Sequence, residues 1–207
     1  MIFLYCSSLP DDFNAVQAEQ DLKGFFSGNE SREFIKQIVS RKDSAESLFA
    51  YSLLMRIIDD RATELNYSGE PLILSRGSSG KPFFSDSHIK FNISHSKGYV
   101  TCAVSDGAEI GVDIEASSPP PEKAIALTKR FLDKKALKFV EADPKIFARL
   151  WTEKEAAIKF FGINFADSDK ILPEAAPTYH FFSYRNIPIT LCTERNFHKI
   201  IFCGDRL

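Results

Sequence analysis

The sequence predicts an α+β protein made of two similar halves, each with helices packed on a small antiparallel sheet. Segments of helical periodicity are followed by segments that alternate with period two, and this succession occurs twice along the chain. A proline run, Pro119-Pro120-Pro121, falls just beyond the middle of the 207 residues. Prolines lack the N–H that a sheet ladder needs, so the run is read as the linker between residues 1–116 and residues 117–207.

The elements follow in order. Met1-Ile2-Phe3-Leu4-Tyr5-Cys6 is apolar but short, has no basic residue ahead of it and runs into Asp11-Asp12, which predicts a first buried strand and not a signal peptide. From residue 30 to about 65 the pattern is helical. Phe34, Ile35, Ile38 and Val39 form one stripe, Ala45, Leu48, Phe49, Leu53 and Ile57 a second, and Asp43 or Ser44 caps the second helix. Residues 75–82 are a loop by composition. Strands follow, the first placing Ile89, Phe91 and Ile93 on one face and Lys90, Asn92 and Ser94 on the other, the next two over residues 99–104 and 109–115. Beyond the prolines come helices over 122–132 and 133–140, then a longer one opened by Asp143-Pro144 and closed by Gly162. Residues 179–184, 187–193 and 199–203 are the last strands.

Composition narrows the function. A formal charge of −2, from 26 basic and 28 acidic residues, argues against nucleic acid as the main ligand, because binding a phosphate backbone needs a basic surface. No stretch approaches the ~20 apolar residues of a membrane span, and the expected location is the cytoplasm. Cys6, Cys102, Cys192 and Cys203 form no C-x-x-C pair and are read as buried reduced thiols. His88, His180 and His198 have no ligand-like spacing.

Three segments carry chemistry. In Ile110-Gly111-Val112-Asp113-Ile114-Glu115, period two sets Ile110, Val112 and Ile114 on the core face and throws Asp113 and Glu115 together on the other. Such a face is either a solvated acidic edge or an oxygen site for Mg²⁺, which takes one or two carboxylates plus substrate phosphates. On the helix after Asp143, a wheel of about 100° per residue gathers Phe147, Leu150, Trp151, Ile158 and Phe161 into an apolar stripe, with Glu155 and Lys159 at its margin. Lys154 falls within that stripe and must either snorkel or meet an anion. The run Asn92-Ile93-Ser94-His95-Ser96 is either a polar turn or a phosphate cradle. Arg76 and Lys81, on the flexible loop, are a candidate anion clamp.

Taken in order, Gly80-Lys81-Pro82, Phe91-Asn92-Ile93-Ser94-His95-Ser96, Ile110-Gly111-Val112-Asp113-Ile114-Glu115 and Trp151-x-x-Lys154-Glu155-Ala156-x-x-Lys159 resemble the signature set of the 4′-phosphopantetheinyl transferases of the surfactin-synthetase-activating type. The resemblance covers roughly residues 41–162. It implies transfer of the phosphopantetheine arm of coenzyme A to a serine of an apo acyl or peptidyl carrier protein, with release of adenosine 3′,5′-bisphosphate. It implies that Asp113, Glu115 and Glu155 hold Mg²⁺, with Mn²⁺ as a substitute, and that Glu155 and Lys159 are catalytic. Arg76, Lys81, Ser94, His95, Lys154 and Lys159 would contact coenzyme A, and Arg41 and Lys42 would take the 3′-phosphate. Glu46 departs from the pattern, standing near an expected arginine, as does Tyr51, near an expected small residue. The two halves would form one catalytic unit and act as a monomer. The readings set against this are an inactive coenzyme A or carrier-binding module and a Mg²⁺-dependent phosphohydrolase.

Overall fold

Which strand faces are apolar decides the layering. The computed structural model describes residues 1–170, 177–194 and 199–204. Along the chain run β1 (Ile2–Ser8), α1 (Ala15–Phe25), α2 (Gly28–Val39), α3 (Ser44–Asp60), β2 (Leu74–Arg76), β3 (Pro82–Phe84), β4 (Ile89–Ser96), β5 (Tyr99–Asp106), β6 (Ile110–Ile114), α4 (Pro121–Phe131), α5 (Lys134–Ala142), α6 (Phe147–Phe161), β7 (Thr178–Tyr184), β8 (Ile187–Thr193) and β9 (Ile200–Gly204). One sheet has the spatial order β4-β5-β1-β9, a second β6-β8-β7, and β2 and β3 form a ribbon. This is the α+β architecture the sequence predicts.

The N-terminal apolar run is continuous because β1 is buried on both faces. Phe3 and Tyr5 face the core shared with α1, α2 and α3, whereas Ile2, Leu4 and Cys6 face Ile110, Val112, Ile114, Ile189 and Leu191 of the second sheet. The second sheet turns its other side to α6, where Ala156 and Ala157 bury against Cys192. The layers are therefore helices, sheet, sheet and helix. At the last interface a Cβ on Gly111 would lie 2.2 Å from the Ala156 carbonyl oxygen and 2.4 Å from the Phe160 nitrogen, so only glycine lets strand and helix approach this closely.

Several elements differ from expectation. Periodicity does not reveal α1, because its buried stripe is only Ala18 and Leu22; its start is nonetheless signalled by Asn14, whose side chain caps Gln17 N. Asp43 is the N-cap residue of α3 but its side chain makes no capping bond. The helix expected from Asp143 begins as a 3₁₀ turn over Pro144–Ile146, and Gly162 closes α6 in the left-handed conformation, φ 60°. The apolar stripe of α6 also divides: Phe147 buries with Ala124 and Val140, Leu150 and Trp151 pack beside them, and the face toward the sheet is made of small residues.

The halves on either side of the prolines exchange strands. β6, which precedes them, pairs with β8, and β9 returns to lie beside β1. That last pairing is parallel, an exception to the expected antiparallel sheets. Among the described residues no helix is long and apolar enough to cross a membrane. All four cysteines are buried and free.

Candidate active site

The polar side chains of β4 point neither to solvent nor into the apolar core. Their face meets β6 rung by rung. Asn92 Oδ1 accepts from Val112 N at 2.8 Å, Ser94 Oγ donates to Asp113 Oδ1 at 2.7 Å, and Ser96 Oγ donates to Glu115 Oε1 at 2.8 Å. Period two placed Asn92 and Ser94 together correctly; that they serve a neighbouring strand depends on the meeting of the two sheets. Glu115 is further held by Ser117, whose N and Oγ donate to Oε1 at 2.8 and 2.6 Å.

A cleft of about 510 Å³ opens over this seam, and its lining includes Asp113, Glu115, Glu155 and Lys159 together with Arg41, Ser47, Tyr51, Arg76 and His95. Lys159 Nζ donates to Asp113 Oδ1 at 2.6 Å and to Ser94 Oγ at 2.9 Å, and stands 3.9 Å from Glu155 Oε2. Asp113 is only 3% exposed. Burial pushes the Glu155 carboxyl up to about 7, the charge of Asp113 adding to the effect and Lys159 opposing it. Burial likewise raises Asp113 against the pull of Lys159 and Ser94.

These carboxylates are incompletely balanced, and oxygen donors short of positive charge suit a divalent cation such as Mg²⁺. The donors fit in kind. As the side chains stand, no three His, Cys, Asp or Glu groups among the described residues are gathered closely enough to hold a metal ion. The cation between Asp113 and Glu155 is the ammonium of Lys159.

Also in the lining, His95 Nδ1 meets Glu46 Oε2 at 2.8 Å, and Nε2 lies 3.3 Å from Ser47 Oγ and 3.5 Å from Asp43 Oδ2. Glu46 Oε1 also accepts from Gly98 N at 2.7 Å, tying α3 to the β4–β5 turn. The side chain of Asp43 thus faces the imidazole, which is why it caps nothing. Arg76 lies over the Phe34 ring at 4.1 Å and donates through Nη1 to Gly80 O at 3.1 Å. Among the described residues its Nε is a buried donor with no partner.

Two of the expected residues differ in their placement. Lys154 sits about 160° round α6 from Ala156 and does not line the cleft, because the face of the helix toward β6 is the small-residue one. Lys81 lines the cleft, and its ammonium bonds Glu109, the Ile110 carbonyl and the Phe160 carbonyl at the end of α6. Arg41 lines the cleft and Lys42 does not. The roles of Glu46, Ser47 and Tyr51 are not legible in the sequence, since nothing local in a helix shows that its first turns face a distant histidine. His88 bonds Leu65 O and His180 bonds Thr193 Oγ1, consistent with structural roles; His198 lies outside the described residues.

Comparison with known proteins agrees with this arrangement. Residues 109–203 match the 4′-phosphopantetheinyl transferase superfamily, and residues 18–107 match the 4′-phosphopantetheinyl transferase N-terminal family. The chain is 36% identical over 110 residues to the 4′-phosphopantetheinyl transferase HetI of Nostoc sp., covering 49% of this chain and 46% of the relative. It is 31% identical over 155 residues to the 4′-phosphopantetheinyl transferase gsp of Aneurinibacillus migulanus, covering 70% and 62%. It is 32% identical over 143 residues to the 4′-phosphopantetheinyl transferase of Bacillus subtilis, covering 64% and 59%. The matches thus span less than two thirds of these relatives' lengths. With both halves matched, the chain belongs to the 4′-phosphopantetheinyl transferase superfamily, in its surfactin-synthetase-activating type.

Proposed function

We propose that this chain transfers the 4′-phosphopantetheine group of coenzyme A to a serine of an apo acyl or peptidyl carrier protein, releasing adenosine 3′,5′-bisphosphate. The observation that carries the reading is one cleft whose lining includes Asp113, Glu115, Glu155 and Lys159 together with Arg41, Arg76 and His95. Carboxylates alone would make an acidic pocket and basic groups alone an anion site. Their combination suits a pyrophosphate that needs both a cation and hydrogen-bond donors.

Asp113, Glu115 and Glu155 would hold Mg²⁺, and Mn²⁺ in its place. When bound, the ion supplies charge neutralisation at the pyrophosphate and eases removal of the serine proton. Glu155 takes that proton as the serine oxygen attacks the phosphorus that bears the pantetheine. The bond from this phosphorus to the bridging oxygen breaks, and Lys159, already within hydrogen-bond reach of Ser94 and Asp113, steadies the charge left on the departing bisphosphate. Ser94 and His95 orient the phosphates. Arg76, with its buried unpartnered Nε, and Arg41 take the nucleotide end, a role the expected pairing gave to Arg41 and Lys42.

Because strand and helix carry the ligands from either side of the proline run, the two halves act as one unit, and the chain would work as a cytoplasmic monomer. The experiment is to mix the protein with coenzyme A, Mg²⁺ and a panel of apo carriers from fatty acid, polyketide and nonribosomal peptide assembly. Intact mass spectrometry of the carrier should show one added phosphopantetheinyl group. No gain on any carrier would overturn the reading.

A further inference from the structure

We infer that Lys81 is a positioning residue, which locks the helix bearing Glu155 and Lys159 to the strand bearing Asp113, and that it is not a phosphate ligand. An ammonium has three N–H groups. Those of Lys81 are directed at Glu109 Oε2 at 3.0 Å, the Ile110 carbonyl at 3.1 Å and the Phe160 carbonyl at 3.2 Å. The side chain is 18% exposed, so little of it is open to a ligand.

The acceptors say what the contact does. Phe160 belongs to the last turn of α6, whose final carbonyls have no intrahelical donor, and a lysine there both caps the helix and meets the negative end of its dipole. Ile110 is the first residue of β6, and Asp113 lies farther along the same short strand. Glu109, the third acceptor, is itself held at 3.1 Å by Lys90 of β4. One ammonium therefore joins the end of α6 to the root of β6, and its carboxylate partner extends the tie to β4. Gly111 presses on Ala156 and Phe160 in the same interface, leaving no room for helix and strand to slide once the tie is made. The geometry of the Lys159–Asp113 contact depends on that register.

The inference rests on the proposed transfer only for its kinetic readout. Lys81→Met, Lys81→Arg, Glu109→Gln and the Lys81→Met/Glu109→Gln double variant are made in the full chain. Coenzyme A binding is measured by calorimetry, kcat by carrier modification and stability by urea denaturation. Lys81→Met should lower kcat by about tenfold or more and leave the coenzyme A Kd within about twofold. Glu109→Gln should show the same split to a smaller degree, Lys81→Arg should recover part of kcat, and the double variant should be no worse than Lys81→Met. A tenfold rise in Kd on Lys81→Met, with Glu109→Gln at wild-type values, overturns the inference and returns Lys81 to the phosphate. Strict additivity of the two substitutions in urea also overturns it, and that readout holds even if the chain transfers nothing. If Lys81→Met does not fold, Glu109→Gln decides: kcat unchanged refutes the tie, and kcat lowered at constant Kd supports it.

Discussion

Lys159 of α6 and Asp113 of β6 meet at 2.6 Å, with Ser94 of β4 bonded to both. Three elements from two sheets and a helix thus converge on one carboxylate that is almost wholly buried. Removing Asp113 takes two charge-assisted hydrogen bonds from Lys159 and Ser94, while Lys159 keeps Glu155 nearby and some access to water. Asp113→Ala should abolish transfer and lower stability by about 2 kcal/mol, with an unchanged circular dichroism spectrum. Retained transfer in this variant would remove Asp113 from the reacting centre.

Gly111→Ala tests the packing beneath the site. The added methyl meets the Ala156 carbonyl oxygen at 2.2 Å and the Phe160 nitrogen at 2.4 Å, both backbone atoms that cannot rotate away. The variant should lose about 3 kcal/mol in urea denaturation and most of its activity with it. A loss under about 0.5 kcal/mol would mean that α6 lies farther from β6 than described.

Glu46→Gln tests the support of His95. The carboxylate accepts from Gly98 N and from His95 Nδ1, which sets the orientation of the ring, while Nε2 meets Ser47 and Asp43. A single amide oxygen satisfies only one of two donors. The variant should raise the KM for coenzyme A by about tenfold or more, in line with the ~1.5–3 kcal/mol of one hydrogen bond to a charged group, with kcat little altered. The ¹⁵N shifts of His95 should show the wild-type ring protonated at Nδ1 and a changed tautomer balance in the variant; identical spectra would rule the support out.

Glu109 makes stability depend on pH in a stated direction. Burial alone would raise its carboxyl, but the ammonium groups of Lys81 and Lys90 outweigh burial and hold it below the ordinary range. A carboxyl whose folded pKa is depressed contributes stability that is present above the unfolded value, about 4.3, and is lost as pH falls through the folded one. The stability difference between wild type and Glu109→Gln should therefore be largest near neutrality and shrink toward pH 3. A difference that grows on acidification would mean the ion pairs do not form.

Much of the site was legible in residue order because its signals are local. Alternation along Ile110–Ile114 separates core residues from Asp113, Gly162 marks the end of α6, and an Asn-x-Ser-x-Ser pattern puts three polar groups on one side of β4. Periodicity also misled where a helix has two buried faces. On α6 the bulky residues suggested the core stripe, but the face that meets the second sheet carries Thr152, Ala156 and Ala157, and Lys154 does not line the cleft.

Residue order alone thus settled the α+β class, every helix but α1, every strand but β2 and β3, which replace part of the loop expected over 75–82, and the types of side chain that make the cleft. The tertiary structure decided which donor meets which acceptor. That β6 crosses to pair with β8, that β9 returns to β1, that Glu46 holds His95 and that Lys81 turns its ammonium to Phe160 all involve residues far apart in the chain. Periodicity reports only the face on which a side chain stands. Its partner is set by sheet order and register, which follow from the burial of whole faces against one another.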